Sequence, residues 1–281
     1  MIQNIAAFIW SIMRRGESWD FIPTTLLGRC DNCFGAIISF NLGCFQNQLG
    51  TCKAPRTIWI EPKVLTSLPD PTVRSGLCKV VRFHLQRGGR EWDWFLAGGD
   101  RAALAGLPEL IHRSLLIKQR YTEVNEYDPG IRDFMNYGHT FSHTYESVSG
   151  FRIPHVQGVA LGIVIANIIS LRHGLVDATH FTKVPEALAP LHRPFRQILP
   201  ELTINAITSA ILSNKKSVDW RAFCILTRGS RAIERMAVDL RGEDSRAPAA
   251  AVCRPTWMTP LRRPARALAA PPRFNPRRVP G

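Results

Sequence analysis

Three of the eight histidines in the chain lie within one twenty-residue stretch, NYGHTFSHTYESVSGFRIPH. Asn136, His139 and His143 are three and four positions apart, so a helix would present them on one face. Glu146 follows on the same face, and a break containing Gly and Pro then introduces His155. Histidines four positions apart are a common zinc-ligand spacing. The stretch indicates a metal site or a proton relay; the alternative is a half-buried helix whose rings bond to backbone groups.

The elements that must position these side chains change in character near residue 70. Before that point, an apolar pattern predicts a buried helix over residues 2–13. Short strands rich in β-branched and aromatic residues are predicted at WDFI, GAIISFNL and RTIWIEP. The first strand ends at Pro23, and Thr24 or Thr25 is expected to cap a helix start.

After Pro71 the predicted elements are helices of ordinary length. They cover residues 72–86, 108–124, 130–148, 159–174 and about 201–213. The fold class is therefore α/β plus all-α: a partial α/β domain at residues 1–70 and a helical domain at residues 71–240. No internal repeat is visible in the sequence.

The net charge of +14 has its main source at the end of the chain. Nine Arg and two acidic residues fall at 241–281, together with eight of the twenty Pro. This segment has no apolar period, so we expect a disordered basic tail. Few aromatic residues lie between its basic residues, and it contains no recognisable nucleic-acid-binding motif. We therefore do not expect a nucleic-acid partner.

Cysteine usage and the first residues indicate a cytoplasmic protein. The chain has seven Cys, an odd number, and far fewer per residue than a small disulfide-rich secreted domain. This usage favours free thiols in a reducing compartment. Cys30 and Cys33 have zinc-ribbon spacing, but a second close pair does not follow. The opening MIQNIAAFIWSIMRRG places its charges after the apolar run, the reverse of a signal peptide, and we expect no membrane span.

Several blocks of the chain resemble the motifs of one family. GIRDFMNYGHTFSHTYESVSGFRIPHVQGVALGI resembles the G-x-R-x-x-L-N-Y-G-H-T-x-G-H-A-x-E … H-G-E/Q-A-V-A-x-G-M signature of the 3-dehydroquinate synthase family, the NAD-dependent sugar-phosphate cyclases. FIPTTLLGRCDNCFGAIISFN and QNQLGT resemble its P-T-T-L-L-A-x-x-D-S-x-x-G-G-K-T-x-x-N and K-N-x-x-G motifs, and NKKSVDWRAFCILT resembles its D-K-K segment. The similarity covers about residues 2–240.

The resemblance implies NAD bound between an α/β domain and a helical domain, with a divalent metal, zinc or cobalt, at the interface. It implies transient oxidation of a heptulosonate-type sugar phosphate, loss of phosphate and ring closure, a reaction of the shikimate pathway to aromatic amino acids. A homodimer is the assembly common in the family. The positions carried over are His139 and His155 for the metal; Asn4, Thr24, Thr25, Asp31 and Asn47 for NAD; and His143, Asn136, Arg132, Lys118, Lys215 and Lys216 for substrate and catalysis.

Several positions depart from the family pattern. Lys79 stands where the family has a third metal ligand, a glutamate, so a positive charge replaces a negative one. Ile37 and Gln46 replace two lysines that would face phosphate or carboxylate. Glu146 is a weak candidate for a substitute ligand, because the family keeps a glutamate there for structure. These changes leave two alternatives: an active cyclase, or a catalytically inactive relative that acts as a binding module.

The sequence starts at a position that, in the family, follows a glycine-rich stretch and several strands and helices. Those glycines let the backbone approach the pyrophosphate of the dinucleotide. We therefore expect an amino-truncated member with a reduced nucleotide-binding layer and an exposed sheet edge.

Overall fold

The computed structural model describes residues 2–35, 37–42, 45–99, 106–125, 136–192, 195, 197–212, 217–218, 221–229 and 233–239. The tail at 241–281 and three of the predicted site residues, Arg132, Lys215 and Lys216, lie outside the described residues.

The first part of the chain combines one helix with short strands. Its elements are α1 (Ile2–Ile12), β1 (Asp20–Phe21), β2 (Ile37–Leu42), β3 (Phe45–Cys52) and β4 (Thr57–Ile58). β1 and β4 pair in parallel, and β2 and β3 form an antiparallel hairpin. The three predicted strands are therefore present. β3 was not predicted because its sequence, FQNQLGTC, is mostly polar and lacks an alternating pattern.

The helix predicted at the start of the chain forms, but the expectation that it is buried is wrong. Within α1 only Ala7 is buried, where it packs with Trp19 and Ile38 in a small core. Ile2 is 83% exposed, and Ile5 and several other apolar side chains of the helix are also exposed. The apolar residues of a helix show that it could be buried, but not whether another element packs against it.

The larger part of the fold is helical, as predicted. Its helices are α2 (Asp70–Arg87), α3 (Gly89–Trp94), α4 (Leu107–Asn125), α5 (His139–Val148), α6 (His155–Arg172), α7 (Ala178–His192) and α8 (Ile204–Leu212). α7 was not predicted, because it contains Pro185 and Pro190, residues that usually end a helix. The division of the chain at residue 70 stays a prediction.

α6 is the central helix of the core. All its residues from Gln157 to Ser170 are buried, so its apolar surface is covered on every side. By length and composition it is the one helix among the described residues that could cross a membrane, but 78% of it is buried inside the protein. Gly162 allows α6 to touch the backbone at Gly138, because a Cβ at Gly162 would collide with the Gly138 carbonyl oxygen. This contact fixes the start of α5 against α6.

The helical part also contains a small sheet that was not predicted from the sequence. β5 (Ser217–Val218), β6 (Arg221–Thr227) and β7 (Ile233–Asp239) form an antiparallel sheet. Thr140 of α5 donates a hydrogen bond to the Phe223 carbonyl oxygen at 3.1 Å. The buried residues of β6 belong to the same core as α6. The sheet therefore packs against the two helices that carry the histidines.

Candidate functional site

α5 and α6 bring the three predicted histidines together. His139 begins α5, His143 follows one turn later, and His155 begins α6 after a short turn. The ring centroid of His155 lies 5.3 Å from that of His139 and 5.3 Å from that of His143. The His139 and His143 centroids are 6.1 Å apart. The helix begins later than predicted, so Asn136 lies in the preceding turn, where its backbone oxygen accepts from the His139 N–H at 2.9 Å.

A buried carboxylate joins two of the three rings. Oε1 of Glu146 lies 2.7 Å from Nδ1 of His155 and 3.4 Å from Nδ1 of His143. The Ser142 hydroxyl donates to the same oxygen at 2.9 Å, and also lies within hydrogen-bond reach of the His155 carbonyl oxygen. Although burial opposes ionisation, hydrogen bonds from His143 and His155 lower the pKa of Glu146 to about 2. Glu146 is therefore an anion across the physiological range, and Nδ1 of His155 must carry the proton that it donates.

His139 has a different environment from the other two rings. Its Nδ1 lies 3.3 Å from the Tyr137 carbonyl oxygen, which can only accept, so Nδ1 carries the proton. Burial, followed by the positive charges of Arg82 and Lys79, holds the pKa of His139 well below its usual range. This ring is therefore neutral at neutral pH.

Two lysines from different helices meet a second buried carboxylate. Asp31 lies in a short π-helical turn, Gly28–Asn32, that packs against α2 and α4. Nζ of Lys79 lies 2.8 Å from Oδ2 of Asp31, and Nζ of Lys118 lies 2.8 Å from Oδ1. Burial raises the pKa of Asp31, but the charges of Lys79 and Lys118 outweigh it and hold this pKa well below its usual range.

The cluster around Asp31 carries more positive than negative charge. Arg82, which is 1% exposed, adds a third cation to Lys79 and Lys118. Burial, and then the charge of Arg82, lower the pKa of Lys79 to about 8 despite the opposing effect of Asp31. The charges of Lys79 and Arg82 also act on His139, so the two clusters are electrostatically coupled.

The predicted NAD contacts fall into separate surroundings. The Thr25 hydroxyl accepts the Gly28 N–H at 3.0 Å, which is the capping role expected from sequence, and the Thr24 hydroxyl accepts from Gln3 at 3.2 Å. Asn4 is a partly buried residue of α1, and Asn47 lies in β3 with its side chain outside the described part of the chain. Among the described residues, Asp31 is the predicted NAD contact that lies in a charged cluster.

Sequence reasoning missed two features of the site. It considered Glu146 as a metal ligand but not as a bridge between two histidine rings, which the i and i+3 spacing of His143 and Glu146 could have suggested. It also missed the pairing of Lys79 with Asp31, residues 48 positions apart. Patterns of local spacing carry no signal for that contact.

Comparison with solved structures defines the class of fold. The chain superposes on 2-epi-5-epi-valiolone synthase from Streptomyces hygroscopicus, solved with NAD+ and Zn2+ bound, with a TM-score of 0.72 and 22% identity, covering 89% of this chain and 69% of that one. It superposes on 2-deoxy-scyllo-inosose synthase complexed with carbaglucose-6-phosphate, NAD+ and Co2+, with a TM-score of 0.74 and 19% identity, covering 88% and 71%. The fold is that of these NAD-binding cyclases, an α/β part followed by a helical part.

Comparison of sequences then gives the family. Residues 1–75 match the description 3-dehydroquinate synthase N-terminal, and residues 76–217 match 3-dehydroquinate synthase C-terminal. The 3-dehydroquinate synthase of Campylobacter curvus is 30% identical over 230 residues, and that of Paracoccus denitrificans 31% over 249 residues. This chain belongs to the 3-dehydroquinate synthase family. It spans about two thirds of the length of these relatives, 66% and 67%.

The donor atoms of the site fit the cofactors of this family. Imidazole nitrogen and carboxylate oxygen are the ligands that zinc and cobalt accept, and those of His143, Glu146 and His155 lie within 4.8 Å of one another. For NAD, the carboxylate of Asp31 keeps lone pairs beyond its two ion pairs, and the Thr24 hydroxyl keeps its hydrogen.

Proposed function

We propose that this chain is a 3-dehydroquinate synthase-like cyclase acting on a heptulosonate-type sugar phosphate in the shikimate pathway. The reaction class is NAD-dependent transient oxidation, elimination of phosphate and ring closure, catalysed in the cytoplasm. The convergence of three imidazoles and Glu146 carries the proposal, because this arrangement provides for both cation binding and proton transfer. When bound, NAD would exchange a hydride with the substrate and the cation would polarise its oxygen atoms.

The chain's own residues would bind and orient the substrate. Lys118, held beside Asp31, would supply positive charge toward phosphate or carboxylate. Arg132, Lys215 and Lys216 are the further basic groups that the family pattern assigns to the substrate, and Asn136 would add a neutral contact. The same pattern gives the metal to His139 and His155 and the substrate contact to His143.

Proton transfer would fall to the histidine cluster. Glu146 fixes the orientation of the rings of His143 and His155 through their Nδ1 atoms. A ring held in this way by a carboxylate is a base with a defined tautomer, as general acid–base catalysis requires. Elimination of phosphate needs such a base to remove a proton from the carbon next to the transient ketone.

A second candidate function has its own supporting observation. Lys79 replaces the family's glutamate and, partly buried itself, forms an ion pair with the buried Asp31 at 2.8 Å. A relative with this change would lose one metal ligand and serve as a binding module. This alternative predicts a folded protein that binds sugar phosphate or NAD without turnover.

Phosphate release from a seven-carbon heptulosonate phosphate tests the proposal. The full chain is incubated with NAD+ and either Zn2+ or Co2+, and inorganic phosphate is measured against a blank without enzyme. We expect release by the wild type and by Glu109→Gln, an exposed carboxylate on α4 that pairs with Arg113. We expect a loss of about 100-fold or more in Glu146→Gln, because the orientation of the base is lost. Absence of release by a folded wild type that binds NAD would favour the binding module.

A further inference from the structure

Glu146 has the surroundings of a cation ligand. Its side chain is 8% exposed, and one oxygen, Oε1, faces Nδ1 of His143 from its own helix and Nδ1 of His155 from the next. Ser142 anchors the same oxygen at 2.9 Å. The candidate ligand atoms of these two histidines and Glu146 all lie within 4.8 Å of one another. A site with one carboxylate and two imidazole donors is thus assembled from two helices that the Gly138–Gly162 contact holds together.

We infer that this chain binds a divalent cation of the zinc or cobalt type through His143, Glu146 and His155. Two histidines and one glutamate form an established zinc-ligand set that leaves a fourth position open. The inference rests on the proposed function and revises its proton transfer: with His143, Glu146 and His155 on the cation, the base would be His139, whose Nδ1–H faces the Tyr137 carbonyl oxygen and whose Nε2 keeps its lone pair. It departs from the family pattern, in which His139 partners His155 and His143 contacts the substrate.

Charge distribution explains why the site would move away from His139. The positive charges of Lys79 and Arg82 act on His139, and they would repel a dication held by that ring. His143 and His155 instead lie against Glu146, whose negative charge attracts a cation. Glu146 therefore supplies the negative charge that the family's glutamate would supply at position 79, where this chain has a lysine. His139 would remain as a neutral imidazole beside the bound ion.

Binding at this cluster would rearrange the ring protons of His143 and His155. The carboxylate of Glu146 gives up the hydrogen bonds that it accepts and donates a lone pair to the cation. Each Nδ1 also donates its lone pair, and the ring proton moves from Nδ1 to Nε2 through water. The side chains of His143 and His155 are 30% and 42% exposed, so the rings are open to the solvent that carries this proton.

Cobalt binding to the full chain tests the ligand set without reference to activity. Co2+ is titrated into metal-free protein and followed by its visible absorption, and the Zn2+ form is examined by imidazole 15N NMR. We expect about one ion per chain and Zn2+ bound to Nδ1 of His143 and His155. Glu146→Gln and His155→Gln should each weaken binding by about tenfold or more. Glu109→Gln, the matched control on α4, should bind as the wild type does.

His139→Gln separates this ligand set from the family pattern. We expect this variant to retain cobalt binding within about threefold, with folding of every variant verified by circular dichroism. The inference is overturned if His139→Gln abolishes cobalt binding while Glu146→Gln retains it. It is also overturned if the ring nitrogens bound to Zn2+ are the Nε2 atoms, or if the wild type binds no ion. Binding by the wild type without phosphate release would leave the metal site standing and remove the proposed catalytic function.

Discussion

Lys79, which is partly buried, forms an ion pair with the buried Asp31, with Nζ of the lysine 2.8 Å from Oδ2 of the aspartate. The lysine stands at the position where the family pattern has a metal-ligating glutamate, and the aspartate stands at a predicted NAD contact. The lysine thus changes the surroundings of both predicted cofactor sites. The lysine is held in the protein by Asp31, so its charge is a fixed part of the site.

The substitution Lys79→Glu should increase the affinity for zinc. The change removes the cation that acts on His139 and adds a carboxylate, so we expect Zn2+ to bind about tenfold or more tightly than in the wild type. The metal-free variant should be less stable, because the new carboxylate would face Asp31, and Zn2+ should raise its melting temperature more than that of the wild type. Calorimetric titration and thermal unfolding measure both effects. Lys79→Met, which removes the charge without adding a ligand, is the control, and equal affinities in the two variants would contradict the prediction.

Replacement of Asp31 by Asn should destabilise the fold strongly. Lys79, Lys118 and Arg82 would then lie close together without their shared anion, and breaking a buried ion pair in this way costs about 3–5 kcal/mol. The free energy of unfolding from urea titrations measures the loss. Asp20→Asn is the matched control, because Asp20 pairs with Arg56 at the surface and its loss should change stability little. Similar losses in both variants would argue against a special role for the buried cluster.

The pH dependence of stability should contain a contribution from His84. Burial lowers the pKa of this ring from 6.5 to about 4, where it stacks on Phe95 at 5.5 Å. Between these pH values the unfolded chain binds a proton that the folded chain does not. This contribution to stability is therefore present above pH 6.5 and is lost as the pH falls toward 4.

Replacement of His84 by Phe should remove this contribution. The free energy of unfolding, measured from pH 7 to pH 4, should then fall less steeply than in the wild type, by up to about 3 kcal/mol over the interval. His112→Gln, at an exposed histidine of α4, should keep the wild-type slope. An unchanged slope in His84→Phe would show that His84 is not the group responsible.

Gly162→Ala should be more damaging than Gly158→Ala, although both are in α6. A Cβ at Gly162 meets backbone, the Gly138 carbonyl oxygen, whereas the nearest atom to a Cβ at Gly158 is the Ser142 hydroxyl, 2.9 Å away. Backbone cannot rotate aside, so we expect Gly162→Ala to cost about 1–3 kcal/mol or more, despite the better helix propensity of Ala. Urea denaturation of the two variants measures the difference. Equal stabilities would mean that α5 and α6 can separate without cost.

The convergence of the histidines could be predicted from sequence because it depends on local rules. His139 and His143 share a helix, and the Gly- and Pro-containing turn after them is short enough to return His155 to the same place. The α/β start and the helical continuation also follow from local patterns. The sequence motifs also predicted the family, and the comparisons confirm that prediction.

The remaining features depend on contacts between distant parts of the chain. Lys79 reaches Asp31 only because α2 packs against the turn at Gly28–Asn32. The burial of α1 was predicted wrongly because an apolar pattern does not identify a covering element. β5, β6 and β7 were missed because their burial depends on α5 and α6, which lie far earlier in the sequence.

The burial of α6 also bears on how the chain is made. A ribosome releases this apolar helix before it has synthesised α7 and β6, which later pack against it. During that interval the side of this helix that α7 and β6 later cover, in a segment with the hydropathy of a membrane span, faces water. Such a nascent segment is prone to aggregate, so production of the protein in cells should depend on chaperones that bind apolar chain until the last strands are complete.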